Sequence, residues 1–152
     1  MITRIAAMVS LPPEERKSRS HYTVRWPVRQ YELDRFGHVN KAVYFNWIEQ
    51  AATDHAEAIG FGLQWAQAQD RAWVVREHRI TYRRPLVYGN AVLVTTIPER
   101  LSGARGWRRT EVHRESDGVL AAEAVTEWTW VRTSDGRPAR LPAELLRYLG
   151  LS

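Results

Sequence analysis

Between Tyr22 and Val28 every second residue is apolar or aromatic: Tyr22, Val24, Trp26 and Val28. That period of two predicts a strand with one buried face. Pro27 falls on the opposite face and removes a ladder donor, so the strand belongs at an edge or beside a bulge. The period then changes. Tyr44, Trp47, Ile48, Ala51, His55, Ala58 and Ile59 recur at steps of three and four, while Asn46, Gln50, Thr53, Asp54 and Glu57 take the other side. This predicts one long amphipathic helix, with Asn40 as its N-cap and Gly60 as its stop.

From Arg71 onward Val, Thr and Trp dominate, and strands are expected over 72–82, 91–101, 106–115 and 119–133. The turn chemistry between them lies at 85–90, 102–105 and Ser116-Asp117-Gly118, the last a hairpin signal. A short helix closes the chain over 142–149, with proline near its first turn. Short connections favour antiparallel neighbours. The expected class is therefore α+β: one curved five-stranded antiparallel sheet wrapped around one long central helix. Seven tryptophans, with Trp128 and Trp130 on one strand face, make a large apolar load. One helix cannot cover such a sheet completely, so a homodimer or homotetramer is expected.

Composition narrows the chemistry. The chain has 152 residues, enough for one domain, and 44% of them are hydrophobic. Residues 1–20 read as a flexible leader and 21–152 as the single domain. The leader's apolar run, Ile5 to Val9, is too short for a secretion signal, and no stretch approaches a membrane span, so a soluble cytoplasmic protein is expected. Without cysteine there is no disulfide framework, thiol nucleophile or thiolate metal site. The pairs Glu111/His113 and Arg76/His78 sit two residues apart on strands without a convergent third ligand, so no metal is expected. Net charge is +5, but the basic residues are scattered and no five-residue basic block occurs. That argues against nucleic acid and for an anionic small ligand.

The candidate chemistry is concentrated where an acidic, glycine-bearing loop, Tyr31 to Asn40, runs into the helix. A helix N-terminus polarises a carbonyl, and Asp34 nearby could attack that carbonyl or activate water; alternatively, Asp34 is a turn residue bonding its own backbone. Gly37 supplies a positive φ or a close approach of backbone to ligand. His38 is a general acid or a packed loop histidine, and Tyr44 is core or acyl-pocket wall. Arg83 and Arg84, with Arg105, Arg108 and Arg109, are candidates for phosphate oxygens, although neighbours on a strand point to opposite faces. Glu49 reads as a solvated or cross-subunit residue.

The pattern Asp34-x-x-Gly37-His38-Val39-Asn40-x-x-x-Tyr44, then Glu49, with Tyr82-x-x-Pro85-x-x-x-Gly89 and the Asp117-Gly118 hairpin, resembles the hotdog-fold thioesterases of the 4-hydroxybenzoyl-CoA type. The likeness spans roughly residues 20–150, and the Gly-His-Val-Asn segment also resembles acyl-carrier-protein thioesterases. It implies a hotdog fold and hydrolysis of an acyl-CoA or acyl-carrier-protein thioester. No separate cofactor is implied, since coenzyme A belongs to the substrate. By the resemblance, Asp34 is nucleophile or general base, the backbone N–H of Lys41 holds the carbonyl oxygen, and Gly37, Val39, Asn40 and Tyr44 border the substrate. Asn90 stands where the family usually has aspartate, a departure that touches turn geometry. The nearest enzyme alternative is a hotdog dehydratase or hydratase. Three residues separate Asp34 from His38, where the hydratase pattern has four, and His38 to Glu49 is shorter than the dehydratase spacing. A non-catalytic acyl-CoA-binding protein is the other class.

Overall fold

The computed structural model describes residues 20–151, so the expected leader lies, Ser20 excepted, outside the described residues. Five strands form one antiparallel sheet: β1 (Tyr22–Pro27), β2 (Arg71–Tyr82), β3 (Ala91–Ser102), β4 (Arg105–Arg114) and β5 (Leu120–Arg132). Their spatial order is β1-β3-β4-β5-β2. Among the described residues β1 is an edge strand, paired with β3, and Pro27 sits opposite Ala91 at its end. The proline therefore costs no interior ladder bond. Register shifts between Val75 and Glu77 and between Pro98 and Arg100 add local twist, which helps the long strands curl over the helix.

The central helix α1 (Lys41–Ala58) starts at Asn40, whose side chain accepts the Ala42 N–H. Its buried face is Tyr44, Trp47, Ile48, Ala51, Ala52 and His55. Ala51 is fully buried, and its small side chain lets the helix lie close to the strands. Alternate residues of β3, Val92, Val94 and Thr96, face inward, as do Val112 of β4 and Ala122 and Ala124 of β5. Each large side chain sealed in this way, Leu86 or Trp130 for instance, contributes roughly 1.5–3 kcal/mol.

Two features depart from the periodicity. Ala58 is exposed although it lies on the expected stripe, because α1 ends there and Gly60 turns the chain with φ +81°. A five-residue helix, α2 (Leu63–Gln67), was not expected; its Ala66 packs with Phe61 and Trp130 in a second core. That core also takes Leu145, Tyr148 and Leu149 of the C-terminal helix α3 (Ala143–Leu149). Among the described residues no helix is long and apolar enough to cross a membrane.

Candidate functional site

The loop from Leu33 to Asn40 is built by its own polar groups. Asp34 Oδ1 accepts the Phe36 N–H at 2.8 Å and the His38 N–H at 3.1 Å, while the Asp34 N–H donates to the His38 carbonyl at 2.7 Å. Gly37 closes the turn with φ +79°, and a Cβ there would meet nothing within 4 Å. Backbone conformation, rather than a crowded neighbour, is what calls for glycine at this position. The turn role of Asp34 is thus present. It occupies one carboxylate oxygen, and Oδ2 has no hydrogen-bond partner among the described residues.

Those backbone bonds also set the charge of Asp34. The His38 amide, before the Phe36 amide and the nearby His38 and Lys41 side chains, holds the carboxyl below its ordinary value of 3.8, against a smaller opposing effect of desolvation. Asp34 is half-buried, so an ionised carboxylate remains within reach of a ligand.

The loop is tied to the start of α1 at several points. Val39 is buried, its N–H donating to the Leu86 carbonyl at 2.8 Å, and the Asn40 N–H donates to the Glu32 carbonyl at 2.8 Å. Asn40 then occupies two of the three amides of the first helical turn. Its Oδ1 takes the Ala42 N–H at 3.0 Å and its carbonyl takes the Val43 N–H at 2.9 Å. The Lys41 N–H is left without a partner among the described residues. An unpaired amide at a positive helix end is a donor for a developing oxyanion.

Sequence reasoning missed Glu32. It is 6% exposed and lies in a 3-10 turn, Gln30–Glu32. Its Oε1 accepts the Arg29 N–H at 2.7 Å and its Oε2 accepts the Trp47 indole N–H at 3.1 Å. A buried carboxylate therefore clamps the loop to the helix through Trp47. The Arg-x-x-Glu spacing was the available signal, and it is weak because arginine is a poor cap residue.

The other expected residues fall into separate groups. Tyr44 is 3% exposed and packs edge-on against Trp47 and Tyr82; burial, with Tyr82 adding to it, pushes its hydroxyl up to about 12. Tyr82 donates to the Lys41 carbonyl at 3.3 Å, so this aromatic pair backs the helix start. His38 is exposed, and its ring makes no hydrogen bond among the described residues; the residue's hydrogen bonds with Asp34 run through its backbone. Arg83 is paired with Glu123 at 2.7 Å, and Arg84 donates to the Arg83 carbonyl at 3.0 Å. Both have left the ladder, their amides sharing the Ala121 carbonyl. Glu49 faces His78 across 3.3 Å, and His78 also bonds Thr126 at 2.9 Å. Asn90 closes its turn by accepting the Val87 N–H at 2.9 Å.

A cavity of about 230 Å³ lies elsewhere, beside the C-terminal half of α1 and the ends of β3, β4 and β5. None of Asp34, Gly37, His38, Val39, Asn40, Lys41 or Tyr44 lines it. The loop site is identified by its hydrogen bonding, not by an enclosed volume in a single chain.

The sequence matches the thioesterase-like superfamily over residues 28–149. Long-chain acyl-CoA thioesterase FadM of Escherichia coli (strain K12) is 31% identical over 118 residues, which is 78% of this chain and 89% of that protein. The chloroplastic acyl-acyl carrier protein thioesterase ATL2 of Arabidopsis thaliana is 27% identical over 131 residues, 85% of this chain and 68% of that one. Among solved structures, DHNA-CoA thioesterase from Staphylococcus aureus is similar with a TM-score of 0.74 at 25% identity, covering 86% of this chain and 84% of that one.

Proposed function

The chain belongs to the thioesterase-like superfamily, and from that premise we propose that it hydrolyses an acyl-CoA thioester to free acid and coenzyme A. The observation that carries the reading is the division of labour at Asp34, where one oxygen is held by two loop amides and the other is unpaired. The unpaired oxygen attacks the thioester carbonyl or takes a proton from the attacking water. The Lys41 N–H, the unpaired amide of the first turn of α1, receives the carbonyl oxygen as negative charge develops on it. A thioester has weak resonance stabilisation and a thiolate leaving group, so one carboxylate and one oxyanion donor suffice. Asn40 acts indirectly, by occupying the neighbouring amides and fixing the helix end. His38 is a secondary candidate for protonating the departing thiol.

A second copy of the chain belongs to this reading. Tyr31 (83%), Phe36 (71%) and Tyr88 (67%) are heavily exposed near the loop, and a partner covering them would enclose the acyl group. The surface arginines Arg83 and Arg84 remain candidates for the coenzyme A phosphates. Relatives act on both acyl-CoA and acyl-carrier-protein thioesters by name, and the scattered positive charge favours either phosphate-bearing carrier. Following free thiol release from aromatic, short and long acyl-CoAs, and from an acyl-carrier protein, tests the assignment. Release that is lost in Asp34→Asn, with the fold intact, is the expected result. Retained turnover in that variant, or water addition to an enoyl thioester without hydrolysis, overturns it.

A further inference from the structure

The 230 Å³ cavity beside the far half of α1 has an unusual wall. Most of it is apolar, with Trp73, Trp128 and Leu101 among its residues, yet Arg108 lines it too. Arg108 NH1 donates to Thr96 Oγ1 at 2.9 Å and to His55 Nδ1 at 3.0 Å. An arginine only donates, so His55 Nδ1 is the acceptor of that bond. No carboxylate among the described residues stands within ion-pair distance of Arg108. The acidic residue on the wall, Glu57, has its Oε1 occupied by the Leu63 N–H at 2.9 Å. Desolvation with no compensating anion pushes the guanidinium down to about 10.

A guanidinium on an apolar cavity wall with no carboxylate beside it calls for an anion. We propose that this cavity is a binding site for a small monocarboxylate with an apolar body, its carboxylate on Arg108 and its body against Trp73, Trp128 and Leu101. Size sets the class. An apolar cavity of about 150 Å³ holds benzene, so this one takes a ligand of about nine non-hydrogen atoms. Benzoate and octanoate are of that size. The site is separate from the thioester loop. Lys41 and Ala52, the nearest α1 residue on the cavity wall, are eleven positions apart, about 16 Å of helix. It therefore stands whether or not the chain hydrolyses thioesters.

Calorimetric titration of the full chain with benzoate and octanoate tests it, with ethylbenzene as the uncharged counterpart. Saturable binding of a carboxylate is expected, weakened about tenfold or more in Arg108→Met. Asp34→Asn should bind as well as the parent chain. No saturable binding of either acid, equal affinity for ethylbenzene, or undiminished binding in Arg108→Met overturns the proposal. So does loss of binding in Asp34→Asn, which would put the carboxylate in the loop site. If Arg108→Met does not fold, Arg108→Gln, which keeps an NH2 donor and removes the charge, decides, and undiminished affinity there refutes the arrangement.

Discussion

Replacing Glu32 with glutamine removes a charge without changing shape, and the structure allows its cost to be worked out. The carboxylate accepts two hydrogen bonds, from the Arg29 amide at 2.7 Å and from the Trp47 indole at 3.1 Å. A glutamine has one acceptor oxygen and one donating NH2 in those places. Whichever way the amide turns, one of the two N–H groups meets another donor, and Trp47 is 3% exposed, so water cannot easily replace the lost bond. A buried donor left unpaired costs about 1–3 kcal/mol, and we expect about 2 kcal/mol for Glu32→Gln. For a chain of this size that lowers Tm by roughly 4–8 °C. Urea denaturation followed by far-ultraviolet circular dichroism measures it independently of tryptophan fluorescence. The double variant Glu32→Gln with Trp47→Phe removes the offending indole N–H. It should be more stable than the sum of the two single changes by about 1 kcal/mol or more, the coupling of a shared hydrogen bond. A Glu32→Gln variant within 0.5 kcal/mol of the parent chain, roughly the level of an uninvolved surface change, or a double variant that is simply additive, would refute the clamp.

Asp34→Asn keeps an oxygen for the Phe36 and His38 amides, so it should fold normally while thiol release falls by about 100-fold or more, as for loss of a general base. The Asp34 carboxyl is depressed, so whatever stability it lends is complete above 3.8 and lost as pH falls through the lower folded value; the acid limb of thiol release should likewise lie below 3.8. Asn40→Ala should cost about 1 kcal/mol in urea denaturation, because the Ala42 N–H loses its partner at a water-accessible helix end. Gly37→Ala should cost about 1–2 kcal/mol through its φ of +79° alone, and a variant that lost activity without losing stability would instead point to a steric role beside the ligand.

The fold was legible because its elements have clean periods. Tyr22, Val24 and Trp26 alternate, and the same residues lie half-buried along β1 while Thr23 and Arg25 are exposed. The expected strands end within one residue of those observed, since Gly103, Gly118 and Gly136 all sit at positive φ in the turns that bound them. α2 escaped notice because five residues are too few for a helical period to register, and its place is set by packing against Phe61 and Trp130. The site was legible only in part. Asp34 and Asn40 are polar residues whose hydrogen bonds are local, reaching no more than four positions along the chain. Such geometry follows from residue type and spacing. Glu32 bonds across fifteen positions to Trp47, and Arg108 across 53 to His55. No local pattern encodes contacts that depend on how the helix lies across the sheet.

These long-range polar contacts explain how α1 can carry two different environments. At its start the polar groups are satisfied by the loop: Asn40 takes two amides, Glu32 takes the indole of Trp47, and a single helix amide at Lys41 is left over. Toward its other end His55 and Arg108 meet between helix and sheet, and there the surplus is a cation. The Lys41 amide lies at an exposed helix end, open to water or to a ligand, and the Arg108 guanidinium lies on an apolar wall without an anion. An amide at a helix N-terminus suits an oxygen that gains charge during a reaction, because its help is greatest when the charge is greatest. A fixed guanidinium in an apolar cavity suits an oxygen that is charged already. The first arrangement favours turnover and the second favours retention, which is why the loop, and not the cavity, is the place to look for the hydrolytic step.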